Sequence, residues 1–426
     1  MNTHYDIVII GGGMVGASLA AALLPVAKQL DLQVAVVESM PMPTDDLSHY
    51  QPSYDARATA LSYGTRKLYE QIGVWRALST HVSPIQRIHV SDKGHFGAAR
   101  LNAEEEHVPA LGYVVENHWL GRTLLHHIQT HPNADHLSYC CPAEVVSVTP
   151  VEKGMRLAIQ LGSETLQVSA DLVVMADGGR SDLREKLGIS YQQVVYQQHA
   201  VVANISPDRP HQDIAYERFT DSGPLALLPL QDQTLQDQAL PDQKEMARCG
   251  LVWTVPDAEL DTVMALDDAA FIARVQERFG YRAGRFIHVG ERFSYPLKLV
   301  LADEQVRPGL VVLGNAAHAL HPIAGQGYNL ALRGVVELAQ FIIDARRGGV
   351  SVGDAQMLQA YHQSRVADQQ RTIGLSDKTM KLFSNRNPML ALGRDLGLQL
   401  MDICPPAKTL FARGAMGLDV PAPRLK

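Results

Sequence analysis

Gly11, Gly13 and Gly16 stand in the spacing G-x-G-x-x-G, directly after the β-branched run YDIVII and ahead of a helix-forming stretch. In that setting the first glycine permits a tight turn, the second lets backbone approach a pyrophosphate, and the third lets strand and helix pack closely. Glu38 ends the next apolar run, LQVAVVE. A carboxylate at that position accepts hydrogen bonds from an adenosine ribose and repels a 2′-phosphate, which favours FAD or NAD over NADP. A ligand-free Gly-rich turn has the same bare spacing, so the weight falls on the matched strand, helix and acid. A second Gly-rich segment, HPIAGQG, precedes another helix far downstream. A simple NAD domain has no need of it, whereas FAD is long enough to require separate protein elements for its AMP and flavin halves. Backbone amides and the positive helix end there suit the O2/N1 edge of a flavin, although periodicity alone reads the loop as an ordinary helix entry.

The elements that must position these groups follow from the patterning. YDIVII reads as a buried parallel strand, Ala17 to Leu30 as a helix that Pro25 should kink or split, and LQVAVVE as a second buried strand, completing a βαβ unit. A loop, PMPTDDLSHYQPS, is followed by helical spacing from Ala58 to Leu78. IHVSDKGHFGAARL alternates as a strand does, LGRTLLHHIQ reads as a helix, and DLVVMADGGRSDLREKLG as strand, turn and helix. Val194 to Phe293, with LALLPL and CGLVWTV, is mainly strand, interrupted by the aperiodic and solvated QDQTLQDQALPDQK. LVVLG then leads through a Pro/Gly loop into a long helix from about Asn329, and the chain after Gly349 is chiefly helical.

The fold class expected is α/β: a Rossmann-like FAD-binding domain interleaved with a sheet-rich substrate domain, plus C-terminal helices. The nucleotide-binding unit takes residues 1–85, 113–188 and 293–348, the substrate unit 86–112 and 189–292, and the helical segment 349–426. With 426 residues, 46% of them hydrophobic, the chain can bury a core of that size. Its 38 Lys and Arg against 45 Asp and Glu leave a formal charge of −7, so no basic field draws it to nucleic acid. Cys140, Cys141, Cys249 and Cys404 form no CxxC pair, which argues against a disulfide framework or zinc site and fits a reducing cytoplasm. Tyr5 to Leu24 is the one long apolar stretch, but glycines interrupt it and no cationic segment precedes it. Any membrane contact is therefore expected to be peripheral, at the inner membrane.

GGGMVG with Glu38, DARATAL at 55–61, ADGGRSDLR at 176–184 and GNAAHALHPIAGQGYNL at 314–330 together resemble the class A flavin-dependent aromatic hydroxylases of the p-hydroxybenzoate hydroxylase fold. Order and spacing match over nearly the whole chain. Within that family, VSDKGHFG, YERFTDSGPLALLPL and NAAHALHPIAGQG look most like the 2-polyprenyl-6-methoxyphenol hydroxylases of ubiquinone biosynthesis. The resemblance implies that Gly11, Gly13, Gly16 and Glu38 bind the ADP half of FAD, and that Arg57 and Arg122 lie near the flavin and its phosphates. It implies that Asp177 helps hold FAD near the path of the reduced nicotinamide. Gly314 and Asn315 stand where most relatives have Gly-Asp; Asn keeps hydrogen-bonding capacity and loses the charge. Pro322, Gly325, Gln326 and Gly327 would line the flavin ring through backbone contacts.

The activity so implied is hydroxylation of a phenol bearing a polyprenyl tail: NADH or NADPH reduces FAD, O2 adds to give a C4a-hydroperoxide, and one oxygen passes to the ring. No metal is called for. His318 and His321 lack a complementary carboxylate or cysteine at short spacing, and the adjacent Cys140 and Cys141 read as packing residues. NPMLALGRDLGLQLMDI reads first as a helix closing the core, with a greasy surface for a lipid tail or for ubiquinone-biosynthesis partner proteins as the second reading. The competing readings are hydroxylation of another ring position or another aromatic, a non-catalytic FAD-containing subunit of a peripheral biosynthetic complex, and a reductase that binds only a dinucleotide.

Overall fold

The first strand, β1 (His4–Ile10), is buried along all but its first residue, as a β-branched run flanked on both sides by parallel neighbours must be. In this computed structural model, which describes residues 2–42, 57–231, 247–320, 325–383, 397, 399 and 402–425, β1 lies at the centre of an eight-stranded sheet. It pairs in parallel with β2 (Val34–Val37) on one side and with Glu164–Met175 on the other, and Leu137–Cys140 and Leu310–Val312 extend the parallel array. Glu144–Pro150 and Met155–Leu161 add an antiparallel meander to Glu164–Met175. The helix α1 (Met14–Ala27) packs on one face of this sheet beside the helices Asn117–Thr130 and Gln326–Arg347.

Pro25 does not split α1, which runs unbroken from Met14 to Ala27, contrary to one of the two outcomes expected from sequence. It sits in the last turn, so the bond to the Ala21 carbonyl that its missing N–H would make is lost close to where the helix ends. The Asn133 side chain donates to the carbonyls of Leu24 and Pro25, at 3.0 and 3.1 Å, and so satisfies acceptors that a helix end leaves over.

A nine-stranded sheet forms the second layer. Its centre is Tyr191–Pro207, Ile214–Thr220, Gly223–Leu230 and Arg248–Pro256, with the hairpin Arg87–Asp92 and Ala98–Asn102 at one edge. Phe293–Ala302 pairs antiparallel with Tyr191–Val202 and so belongs to this sheet. Two helices that the alternation between Val194 and Phe293 conceals, Asp257–Met264 and Asp268–Phe279, cover its outer face. Phe271, Val275 and Phe279 recur at helical spacing there and bury against Val201, Leu225, Leu227, Leu251 and Trp253. Asp267 caps the second helix by accepting from the Ala270 N–H at 2.8 Å, the local signal that marks its start.

A three-stranded sheet joins the two layers: β3 (Ala58–Ser62), Gly112–Glu116 and Val82–Ile85. The helical spacing read from Ala58 onward therefore begins too early. Ser62 ends the strand and caps the helix Tyr63–Ile72, its Oγ accepting from Thr65 N–H at 3.2 Å. The C-terminal part is helical, as expected, over Ala355–Phe383 and Pro405–Ala415. Most of the loop 41–53, nearly all of the insertion 231–244 and most of the segment 387–403 lie outside the described residues. Among the described residues, no helix is long and apolar enough to cross a membrane.

Candidate functional site

The Gly-rich turn is built against backbone. A Cβ on Gly16 would lie 1.9 Å from the Gly11 carbonyl oxygen, and one on Gly11, whose φ is +99°, would lie 2.6 Å from the carbonyl oxygen of Ala176. Only glycine lets α1 start this close to β1. Gly13 is extended at the N-cap and no side chain caps the helix, so the first-turn amides and the positive helix end remain for an anion. Glu38 reaches back into the turn: Oε2 accepts from the Gly12 N–H at 2.6 Å and Oε1 from the Met40 N–H at 2.8 Å. Oε1 also accepts from the Ser39 hydroxyl at 3.4 Å, and Oε2 keeps a further lone pair for a ribose hydroxyl.

From this turn a cavity of about 2430 Å³ runs between the two large sheets. Ligand pockets for one small molecule span about 300–1,000 Å³, so there is room for a dinucleotide and a second molecule together. Gly11, Gly13, Glu38, Arg57, Arg122, Asp177, Asn315, Gly325, Gln326 and Gly327 all line it. Gly16 and Gly314 instead serve packing: a Cβ on Gly314, at φ +61°, would meet a Val15 methyl of α1 at 3.0 Å. Pro322 and His321 lie outside the described residues.

The Asp177 carboxylate is engaged within its own loop. Oδ1 accepts from the Gly179 N–H at 2.9 Å, and Oδ2 accepts from the Ser181 N–H and hydroxyl. It thus shapes the turn that follows Glu164–Met175 and presents that turn to the cavity. Arg184, from the same motif, is buried and links two loops by donating to Ala316 O at 2.9 Å and Gly179 O at 3.4 Å. The Arg57 guanidinium lies 4.4 Å from the centroid of the Tyr295 ring, a cation–π contact across the junction of β3 and the nine-stranded sheet.

Asn329, which sequence reasoning passed over, bolts the downstream Gly-rich loop in place. Its Nδ2 donates to Gly325 O at 2.8 Å and Ala60 O at 3.0 Å, and its Oδ1 accepts from Ser62 N–H at 2.9 Å and the Thr65 hydroxyl at 2.7 Å. Every hydrogen-bonding site of this buried amide is used. The signal lay in GQGYNL, an amide one turn into a helix whose neighbours Leu330 and Leu332 are core. Gly325 takes the left-handed conformation, φ +61°, with a would-be Cβ 3.0 Å from that of Ala60. The helix Gln326–Arg347 then begins with no side-chain cap, its amides directed at the cavity.

His318, just before this loop, is buried, and burial pushes its imidazole down to about 4, with Arg365 and Arg333 opposing its charge and Asp368 favouring it. The unfolded chain binds this proton below its ordinary value of 6.5 and the folded chain does not, so stability falls as pH drops from about 6.5 towards 4. The total loss from this group is about 3 kcal/mol. Urea titrations of wild type and His318→Phe should diverge in slope over that window, and parallel pH dependences would count against the assignment.

The glycine cradle, the uncapped helix ends and the long cavity joining them fit FAD: the turn at Gly11–Gly16 would hold the ADP half and the loop at Gly325–Gly327 the flavin. A family model described as an FAD binding domain matches residues 4–376. The ubiquinone hydroxylase UbiL of Rhodospirillum rubrum is 34% identical over 417 residues, 97% of this chain and 89% of that protein. An uncharacterised protein of Synechocystis is 31% identical, covering 100% and 96% of the two chains, and the 3-demethoxyubiquinol 3-hydroxylase of Escherichia coli is 29% identical, covering 98% and 100%. Among solved structures, the p-nitrophenol 4-monooxygenase PnpA from Pseudomonas putida matches with a TM-score of 0.73 at 16% identity over 98% of this chain and 99% of that one. PqsL of P. aeruginosa, in complex with 2-aminobenzoylacetate, matches with a TM-score of 0.71 at 20% identity over 93% and 99%. These two establish the fold alone. The chain belongs to the FAD-binding-domain family, as an FAD-dependent monooxygenase.

Proposed function

We propose that this monooxygenase hydroxylates a polyprenylated phenol in ubiquinone biosynthesis, with NADH or NADPH as electron donor and O2 as oxygen source. The observation that carries the reading is the wall of the cavity beyond the flavin loop. It is formed by the inner face of the nine-stranded sheet, where Ile88, Val90, Val202, Leu228, Val252 and Phe293 are apolar. Such a surface suits a ring with a hydrocarbon tail, and full-length similarity to the ubiquinone hydroxylases supports the same substrate class.

In this reading Gly11, Gly13 and the start of α1 bind the pyrophosphate, Gly16 sets the helix against the strand, and Glu38 takes the ribose. Arg57, Arg122, Asp177, Gly314 and Asn315 form the middle of the FAD site, and Gly325, Gln326 and Gly327 the flavin end, with Pro322 ahead of them. When bound and reduced, FAD supplies with O2 the oxygen atom that enters the ring. The chain's own part is to orient the ring carbon, through the sheet wall, and to keep water from the reacting centre. Within this proposal the chain divides into a discontinuous FAD unit, a sheet-rich substrate unit and a helical end, with Phe293–Ala302, assigned from sequence to the FAD unit, serving as a strand of the substrate sheet. Leu375, Leu382 and Leu410 are exposed and also line the cavity, so the tail would leave between the C-terminal helices, where a membrane surface or a partner of the pathway could deliver it.

The test is direct. FAD-loaded protein should oxidise NADH or NADPH faster when 2-farnesylphenol is added and should yield a product heavier by one oxygen atom in the mass spectrum. NMR of that product assigns the ring position. If polyprenylated phenols neither stimulate oxidation nor gain oxygen while FAD is fully bound, a non-catalytic FAD subunit becomes the better reading.

A further inference from the structure

The inner face of the nine-stranded sheet carries a carboxyl group, Glu217, on the strand Ile214–Thr220. Strand register places Val90, Glu217, Ala226, Val252, Val202 and Phe293 in one row across five neighbouring pairs, all directed at the cavity. The next row, with Ile88 beside Ala215 and Leu228 beside Gly250 and Asn204, is also cavity wall. The alternate residues Tyr216, Leu227 and Leu251 pack on the opposite face beneath the two helices. Glu217 therefore sits in an apolar wall, and among the described residues its side chain has no hydrogen-bond or ion-pair partner. Glu217 is half-buried and opens onto the cavity; a carboxylate set among apolar side chains is costly to desolvate further without a partner, so a molecule filling the cavity must supply one.

The wall also connects Glu217 to the flavin loop. Gly325 abuts Ala60, and Ala58 on the same strand abuts Gly250, whose would-be Cβ lies 3.5 Å from that of Ala58. From Gly250 to Glu217 is two strands and two residues, roughly 12 Å along the sheet. A prenylated phenol lying on this stretch of wall, in the cavity that the flavin loop also lines, can bring its hydroxyl to the carboxylate.

We propose that Glu217 is a catalytic residue, the base that accepts the proton of the substrate's phenolic hydroxyl; this rests on the hydroxylase reading above. The phenol O–H bond breaks, the proton moves to a Glu217 Oε, and the electron pair stays on the ring oxygen, enriching the carbon that receives oxygen. When the oxygenated ring rearomatises, its displaced ring proton leaves to solvent and Glu217 returns its own proton to the ring oxygen. Burial pushes the Glu217 carboxyl up to about 7, which brings it nearer to a phenol, at about 10, and makes it a stronger base than an exposed glutamate. Of the charged groups on elements packed against its strand, Arg87, His89, Arg218, Arg278 and Arg282 belong to the outer face. Asp92 shares the inner face, and Arg248 is held at 2.8 Å by Glu116.

The test uses Glu217→Gln, which keeps the shape and removes the base; with no partner to lose, the variant should fold. In the FAD-loaded enzyme, kcat/KM for hydroxylation of 2-farnesylphenol should fall about 10²–10⁴-fold and lose its ionisation near pH 7, with Glu217→Asp recovering part of the rate. A second measurement needs no turnover. Bound to the oxidised FAD protein without nicotinamide, 2-farnesylphenol should bind more tightly as pH rises through about 7 in wild type, where the ionised carboxylate accepts the hydrogen bond of the phenolic hydroxyl, and with no such pH dependence in Glu217→Gln. A Gln variant with wild-type rate and pH profile, or with the same pH dependence of phenol binding, overturns the assignment alone. A wild-type protein that binds FAD and leaves the phenol unoxygenated overturns the hydroxylase reading, and the base with it.

Discussion

Gly16→Val should yield protein without FAD and less stable by about 3 kcal/mol or more. The added Cβ would lie 1.9 Å from the Gly11 carbonyl oxygen and 3.1 Å from an Ile9 methyl. The first neighbour is backbone in the turn itself, so relief requires α1 to move off β1 and its N-terminal amides with it. The same displacement removes the pyrophosphate site and opens the core around Ile9, Ala17 and Ala20. Flavin absorbance of the purified protein and its urea midpoint measure the two effects together. Gly374→Ala is the control: no atom lies within 4 Å of its would-be Cβ, on the helix Ala355–Phe383, and alanine there should add up to about 1 kcal/mol. A Gly16→Val protein with full FAD content and wild-type stability would refute the role given to this turn.

Asn329→Leu should cost about 4 kcal/mol and uncouple the enzyme. The substitution strips partners from Ser62 N–H, the Thr65 hydroxyl, Ala60 O and Gly325 O, each buried or nearly so. A buried polar group left unsatisfied costs about 1–3 kcal/mol, and local rearrangement recovers part of the sum. The functional consequence is specific because two of the four bonds end on Gly325 and on Ala60, the residue against which Gly325 packs. Once they are gone, the flavin loop no longer holds its position against the substrate wall. Nicotinamide oxidation should persist while less of it ends in hydroxylated product and more in hydrogen peroxide. Unchanged coupling, with stability within about 1 kcal/mol of wild type, would show that the loop is held by other means.

The nucleotide end was legible in the chain because its parts are local. Strand, glycine turn, helix, second strand and Glu38 occupy one continuous stretch, and each reports its role through nearest neighbours: β-branching for the strand, absence of Cβ for the turn, acid at a strand end. Even there, Glu38 and Asp177 proved to spend hydrogen bonds on shaping their own loops, which type and spacing do not reveal. The errors share one cause. Ala58–Ser62 reads as helix from composition and becomes a strand because Gly112–Glu116 offers it a ladder, while Asp257–Phe279 becomes helical because a sheet face needs covering.

The substrate end has no local signature. Glu217 stands in YERF as one more charged residue of an alternating strand, where the bland expectation is solvent. Its isolation in an apolar wall follows from register with strands up to 127 residues before it and 76 after it, from Val90 to Phe293. Periodicity assigns a residue to one of two faces. Which face is covered by Phe271 and Phe279, and which is left to the cavity, depends on how the layers pack. Contiguous spacing was enough for a pyrophosphate held by successive backbone amides, but a wall built from six different strands takes its shape from long-range pairing.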